Sequence, residues 1–457
     1  MKALLLSLLF VSALPAVSSA QVQKSPFTEP GQRRSQTQRV AGYPGTRPKN
    51  SRPNIVLILA DDMGVDLNST YAEGTSPPCT PAIDSLAANG MLFRNAWTNP
   101  VCSPTRAAIM TGRYGFRTGV GTALTGQSDG LLLSETTLPE VLEDYESTCV
   151  GKWHLAGGQD DLHPNATGFD HYAGVLSGGV GNYSQWNKTV NGNTNQTTTY
   201  ATTDTANEGI AAITTMAEPW FLYMNFNAPH TPFHVPPAPL CPTPFCPNPF
   251  CDNLGPNPSS PDLAKAMVEA LDYELARFLD ALAGVDPNAW VIFMGDNGTP
   301  GQASEAPFVA SHAKGSVYEG GVNVPFIVRG PGAVVAETEA MISSVDLFAT
   351  IAELAGYETA AEDSVSMVPI FSTPELSMRS FLYSEIFSPS LPMVATRHDR
   401  TVFDGRYKLI RRIGVMDEFF DLDMDPFETD NLIPGLTQAQ AQARQALRAE
   451  FVALGVD

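Results

Sequence analysis

Asn54-Ile55-Val56-Leu57-Ile58-Leu59-Ala60-Asp61-Asp62 holds six consecutive apolar residues, with Pro53 before them and two carboxylates after. A strand with one wet face alternates apolar and polar residues. An unbroken run has both faces covered, as in a parallel sheet flanked by helices. Residues 220–226 and 290–294 are similar strands, and residues 147–153 read as another short strand. They end in Lys152-Trp153-His154, Asn227-Ala228-Pro229-His230 and Gly295-Asp296-Asn297-Gly298. In an open α/β sheet, ligands gather beyond the carboxyl ends of the strands. The fold class is therefore α/β, with a large, mostly parallel sheet whose strand ends bring these polar groups to one place.

Outward from these strands, a helix is predicted over 81–89 with Gly90 as its stop, and strands over 91–97 and 322–328. Leu263, Met267, Leu271, Leu275, Phe278 and Leu282 recur at helical spacing and predict one amphipathic helix over 261–282. A further helix is predicted over 344–355. The Gly-, Asn- and Thr-rich stretch 168–200 reads as a long loop decorated with hairpins, and the proline-dense stretch 229–261 as irregular. After Ser372-Thr373-Pro374, segments 381–386, 393–397, 400–403 and 406–413 read as a small antiparallel sheet, closed by a helix over 438–454. The expected organisation is a signal peptide over 1–20, a flexible leader over 21–52, a catalytic α/β domain over 53–373 and a C-terminal α+β subdomain over 374–457.

Lys2, the apolar residues 3–11 and the small residues Ser18-Ser19-Ala20 form a secretory signal, too short to span a bilayer. No later segment is long and apolar enough to span one either. Export through a Sec-type signal, to the periplasm or the exterior, is expected. The 457 residues carry a net charge of −21, which argues against nucleic acid or an anionic membrane surface as a partner. An anionic ligand must then meet a local cationic pocket. Six cysteines can pair in an oxidising compartment. If Cys102 is set apart, Cys79, Cys149, Cys241, Cys246 and Cys251 allow at most two disulfides. The near-repeat around Cys241, Cys246 and Cys251 reads as a disulfide-stiffened loop in preference to a metal site, for which only the distant His234 offers a fourth ligand.

Asp61, Asp62, Asp296 and Asn297 place three carboxylates and an amide oxygen after two buried strands. Hard oxygen ligands of this kind suit Ca²⁺ or Mg²⁺, and clustered carboxylates need a cation to stay ionised together. Arg106, Lys152 and Lys314, with His154 and His230, are the candidate anion pocket; His163, His234 and His312 have weaker claims. In Cys102-Ser103-Pro104-Thr105-Arg106, Ser103 is a good N-cap, Pro104 suits the first helical position and Gly112 is a plausible stop. Cys102 should then sit at the electropositive end of a short helix. Arg106 in its first turn is disfavoured by the helix dipole and implies an anion nearby. On these residues alone, Cys102 reads equally as a buried or bridged cysteine and as a functional one.

Taken together, these motifs resemble the formylglycine-dependent sulfatases of the alkaline phosphatase-like superfamily over 53–432. Cys102-Ser-Pro-Thr-Arg106 followed by Thr111-Gly112-Arg113 is similar to the family signature, with Thr105 where serine is commoner. The stretches 54–62, 151–154, 228–230, 295–298 and 314–321 also fit, as does the closing motif 420–432. Asn323 stands where many relatives carry arginine. The resemblance implies an alkaline phosphatase-like sandwich: the large sheet flanked by helices, plus a small antiparallel sheet packed with a helix. It implies that dedicated maturation machinery oxidises Cys102 to formylglycine. One hydroxyl of the hydrated aldehyde would bind a metal, calcium or alternatively magnesium, and attack sulfur; the other would lose its proton as sulfate leaves. The implied metal ligands are Asp61, Asp62, Asp296, Asn297 and the modified Cys102. Lys152 and Lys314 would offset sulfate charge, Arg106 and His154 would hold the hydrate with His154 as base, and His230 would protonate the leaving alcohol. The expected substrate is a sulfated carbohydrate or an aryl sulfate. The competing readings are a phosphonate monoester or phosphodiester hydrolase of the same superfamily, and an inactive sulfate-binding protein with an unmodified thiol.

Overall fold

The computed structural model describes residues 49–241, 246 and 249–457. The expected signal peptide, and the leader as far as residue 48, lie outside the described residues. The dominant element is a ten-stranded sheet in the order β10-β2-β9-β8-β1-β7-β3-β4-β5-β6. In chain order its strands are β1 Ile55–Asp61, β2 Met91–Trp97, β3 Glu146–Lys152, β4 His171–Val175, β5 Trp186–Val190, β6 Asn193–Thr197, β7 Trp220–Pro229, β8 Trp290–Gly295, β9 Phe326–Arg329 and β10 Ala336–Ser343. β1 lies at the centre, parallel to β7 and β8, and every one of its residues is buried.

The two faces of β1 show why its apolar run is unbroken. Ile55, Leu57 and Leu59 enter a core with Ala107, Ile109 and Met110 of the helix Cys102–Thr111. Val56, Ile58 and Ala60 enter the opposite core, with Ala206 and Ile213 of the helix Ala201–Thr215 and Leu271 and Phe278 of the helix Ser260–Val285. Burying each such aliphatic side chain contributes roughly 1.5–3 kcal/mol, so the central strand is fixed from both sides.

The structure corrects several expectations. The stretch 168–200 holds the expected hairpin, β5–β6, but it extends the edge of the main sheet, which β4 joins in parallel. The strand expected over 322–328 is only Phe326–Arg329, and it runs antiparallel to both neighbours. The short helix Glu319–Val322 takes the preceding residues, which frees Asn323 to bond to the edge of β2. Asn323 accepts from Ala96 N (3.2 Å) and donates to Arg94 O (3.1 Å), which is what the residue at this position does in place of an arginine. The helix of 344–355 begins with a tighter turn, Ser344–Asp346.

The second sheet has the order β11-β12-β13-β14, with β11 Leu382–Ser388, β12 Arg397–Phe403, β13 Tyr407–Arg412 and β14 Val415–Asp421, all antiparallel. Residues 393–396 are outside any strand, so two expected strands merge into β12. The helix Gln438–Leu454 packs on this sheet through Leu447 and Phe451. A buried ion cluster ties the sheet to the larger one. Lys408 Nζ lies 2.8 Å from Glu319 Oε1 and 2.8 Å from Glu428 Oε1, above the Trp97 ring.

Two disulfides, Cys79–Cys246 and Cys241–Cys251, pin the proline-dense segment; Cys102 and Cys149 remain as buried thiols. Glu269 reinforces the pin by accepting from the backbone N–H groups of Cys79, Phe250 and Cys251.

Candidate active site

The carboxyl ends of β1, β3, β7 and β8 meet the start of the helix Cys102–Thr111. Asp61 is the last residue of β1, Lys152 the last of β3, and Asp296 and Asn297 follow β8. His230 follows β7 and His154 lies two residues beyond β3. Asp62 and His154 have φ of 71° and 57°, a left-handed conformation that costs non-glycine residues of order 1 kcal/mol or more. Both strained residues belong to the candidate site.

The Cys102 helix differs from expectation at its start. Val101 is the N-cap and Cys102 already occupies the first turn, with Pro104 third. Ser103 caps nothing. Its Oγ donates to His154 O (3.0 Å) and accepts from Leu124 N (3.1 Å), bracing the strained histidine. The stop is as read: Gly112 takes φ 67°. Arg106 consequently lies in the second turn, and its anion is Asp296. Nε and Nη2 donate to Asp296 Oδ2 at 3.0 and 2.8 Å, while Nη1 donates to Lys152 O (2.8 Å) and Asn225 Oδ1 (3.0 Å). The guanidinium is completely buried and holds the strand ends together.

Each of the other two cations also takes one carboxylate. Lys152 Nζ lies 2.6 Å from Asp61 Oδ2, with both groups fully buried, and Lys314 Nζ contacts Asp62 Oδ1. Asn297 Nδ2 donates to Asp62 Oδ1 (2.9 Å), Asp62 N donates to Asp296 Oδ1 (3.1 Å), and His230 Nε2 stands 3.8 Å from Asp62 Oδ2. Burial pushes Asp61 up to about 7, more than Lys152 offsets. For Asp62 the upward pressure of burial is outweighed by Lys314, His230 and Lys152, so it stays well below the usual carboxylate range. Asp296 is likewise held low: burial opposes ionisation, but Arg106 and Lys152 prevail.

Cys102 Sγ is 3.1 Å from His154 Nδ1, and His154 Nε2 donates to Leu124 O at 2.9 Å. That second bond fixes the proton on Nε2 and leaves a lone pair on Nδ1, facing residue 102. Burial, then the neighbouring Lys152, lowers the His154 pKa to about 3, so the ring is neutral near pH 7.

The donor set fits a hard dication. Asp61 Oδ1 and Asn297 Oδ1 are buried without a hydrogen-bond partner, although buried oxygens are normally satisfied. Ligand atoms of Asp61, Cys102 and Asp296 lie within 4.8 Å of one another, and so do those of Asp61, Asp62 and His230. Oxygen donors at this density suit calcium or magnesium.

All the sequence-predicted site residues converge here. The weaker histidines lie elsewhere. His163 accepts from Trp153 Nε1 (3.0 Å) and contacts Leu131 O, His234 bonds to Tyr200, and His312 stacks on Tyr318. Ser103 and Asn225 are site residues that sequence reasoning missed. Asn225 carried a signal, as an amide inside the apolar run of β7.

The chain matches the family model described as Sulfatase over residues 53–357, and the model of the N-sulphoglucosamine sulphohydrolase C-terminal region over 310–454. It is 32% identical over 369 residues to arylsulfatase G of Rattus norvegicus, covering 67% of this chain and 65% of that protein. With N-acetylgalactosamine-6-sulfatase of Sus scrofa it shares 31% identity over 378 residues, covering 72% and 68%. The crystal structure of Ps i-CgsB with k-i-k-neocarrahexaose superposes with a TM-score of 0.75 at 25% identity, covering 88% of this chain and 93% of that one. BT4656 in complex with D-glucosamine-2-N,6-O-disulfate superposes at 0.70 and 19% identity, covering 88% and 98%. The mostly parallel sheet with its helical layers and small antiparallel sheet is the alkaline phosphatase-like architecture, and the chain belongs to the sulfatase family of sulfuric ester hydrolases.

Proposed function

We propose that this protein is an exported sulfatase that hydrolyses sulfate esters of carbohydrates, with Cys102 matured to formylglycine and a divalent cation, calcium in first place. The observation that carries the reading is the position of Cys102 Sγ among Asp61, Asp296 and His154. An ordinary structural cysteine has no need of such a shell. The two disulfides support an oxidising compartment, as does the N-terminal signal pattern.

Asp61, Asp62, Asp296, Asn297 and residue 102 would hold the cation. The hydrated aldehyde and the cation supply, respectively, a geminal pair of hydroxyls and charge neutralisation at oxygen. The remaining work falls to the protein's own side chains. His154 Nδ1, neutral and unprotonated, accepts a proton from the group on residue 102. A serine at this position would lack the second hydroxyl, so its sulfate ester would persist. Arg106 fixes Asp296 and the Lys152 carbonyl, keeping two strand ends in register. Lys152 and Lys314 offset charge on sulfate oxygens, and His230 Nε2, on the partly exposed side, protonates the leaving alcohol. Three carboxylates and three cations cancel, so a bound dication would leave the site net positive, drawing in the singly charged sulfate ester and matched only by the sulfate dianion that is released. The domain boundary at 373/374 belongs to the same proposal.

The test is sulfate release from a panel of sulfated sugars and an aryl sulfate, beside an aryl phosphonate monoester. It is paired with peptide mass spectrometry across Cys102 in material from the native host. Preferred turnover of the phosphonate would reassign the reaction, and an unmodified thiol in active enzyme would remove the formylglycine step.

A further inference from the structure

We infer that the cleft beside the two site histidines is a subsite for an uncharged sugar ring, which selects singly sulfated neutral glycans over densely sulfated or uronate-bearing ones. The inference rests on the sulfatase reading. The cleft has a volume of about 490 Å³, within the range of small-molecule sites, and its walls come from the end of β4, the following loop and the hairpin β5–β6.

It lies against the backbone that packs on the two site histidines. Leu176 O accepts from His154 N (3.0 Å), and Val175 O accepts from Trp153 N (2.9 Å). Gly178 and Gly179 then pass over both histidines. A Cβ on Gly178 would stand 2.6 Å from His154 Nε2, and one on Gly179 would stand 3.0 Å from His230 Nδ1. The wall between site and cleft is thus bare backbone: a side chain at 178 would strike the buried His154 ring, and one at 179 would press on His230. Gly179 lines the cleft and borders the His230 ring, so the ring on an alcohol that His230 protonates would have this cleft beside it.

The lining is chemically specific. Asn182, Gln185, Asn187 and Gln196 present amides, and all four are exposed. Amides offer both donors and acceptors, as sugar hydroxyls require. Gln185 Nε2 donates to Gln196 Oε1 (3.2 Å), which holds the two side chains as a pair. Among the lining residues Asp161 alone carries a formal charge, and it is negative. Lys188 of the same hairpin is spent elsewhere, 2.7 Å from Asp204 and 2.6 Å from Glu208. A carboxylate or a second sulfate entering the cleft would lose water and gain no cation.

The experiment measures sulfate release from methyl hexosides bearing one sulfate or two, and their competition with an aryl sulfate that lacks a sugar ring. The wild-type enzyme should favour the monosulfates by tenfold or more. The double variant Gln185→Ala/Gln196→Ala, altered only at exposed positions, should weaken monosulfates about tenfold and leave the aryl sulfate within about twofold. Asn182→Lys should narrow the gap between mono- and disulfates. The inference is overturned if disulfates do as well as monosulfates in the wild type, if no monosulfate competes or reacts, or if the variants leave sugar kinetics unchanged. Absence of sulfate release from sugars and aryl sulfate alike would instead retire the sulfatase reading.

Discussion

Arg106→Met is the sharpest probe of how the site is built. Methionine keeps most of the side chain's length and removes only its charge and donors. Arg106 makes two bonds to Asp296 and one each to Lys152 O and Asn225 Oδ1, all fully buried. Breaking a buried ion pair by removing one partner costs about 3–5 kcal/mol, because the other charge is left without compensation. Here Asp296 would face Asp61 and Asp62, and two neutral acceptors would also lose their donor, so the upper end applies. Urea unfolding in chelator reads this loss directly. Arg113→Met, which breaks partly exposed pairs to Glu135 and Glu362, serves as the control and should cost under about 1 kcal/mol. If the cation lies beside Asp296, excess calcium should stabilise the Arg106 variant more than the wild type, since it replaces the missing positive charge. A loss below about 1 kcal/mol would refute the clamp. Equal stabilisation of both proteins by calcium would refute the placement of the cation. If Arg106→Met does not accumulate, Arg106→Lys, which keeps the charge and loses the fork, should fall between variant and wild type.

Cys102→Ser should shift the urea midpoint little and abolish multiple turnover; continued sulfate release beyond one equivalent per enzyme would contradict the proposed chemistry. His163, whose hydrogen bonds run to Trp153 and Leu131 and to none of the candidate metal ligands, should give the protein an acid-side stability loss. Burial lowers its pKa from an ordinary 6.5 to about 4, so the unfolded chain binds the extra proton first. Its contribution is complete above about pH 6.5 and fades as pH falls towards 4, at about 1.4 kcal/mol per pH unit and about 3 kcal/mol in all. His163→Gln should flatten that slope when unfolding free energies are compared at pH 7 and pH 5; an unchanged slope assigns it to other groups. Opening Cys79–Cys246 by paired serine substitution should cost more than opening Cys241–Cys251. Their sequence separations are 167 and 10 residues, which loop-closure entropy converts to roughly 5 and roughly 3 kcal/mol. Equal unfolding free energies for the two double variants would show that chain entropy does not govern what these crosslinks contribute.

The central strands were legible because burial on both faces leaves no polar residue within β1, and polarity returns abruptly at Asp61. The same contrast exposed Lys152, His154, His230, Asp296 and Asn297 as strand-end groups. The edges of the sheet were not legible, for an equally physical reason. β6 is Asn193–Thr197 and nearly all exposed, so hydrogen bonding to β5 makes it a strand without any apolar pattern. β10 carries Glu337 and Glu339 on its outward face, the charges that discourage a further strand from pairing with an edge. The helix Ala201–Thr215 is rich in threonine, a modest helix former, and is held by its packing against β7 and the helix Ser260–Val285. Within the site, Ser103 resembled a cap because local spacing is all that sequence displays. Its bonds run to His154 and Leu124, which only the folded chain brings near.

Cys102 is about 2% exposed, sealed beneath the strand ends and the braced His154. A modifying enzyme must reach the sulfur and the backbone around it, and in the finished protein neither is accessible. Any conversion of Cys102 therefore competes in time with the closing of the sheet. A chain that folds first is locked as a thiol, stable and without turnover. On the proposed formylglycine chemistry, the active fraction of a preparation would be set by a race between two rates during synthesis, and slower folding should raise it, whatever its effect on final stability.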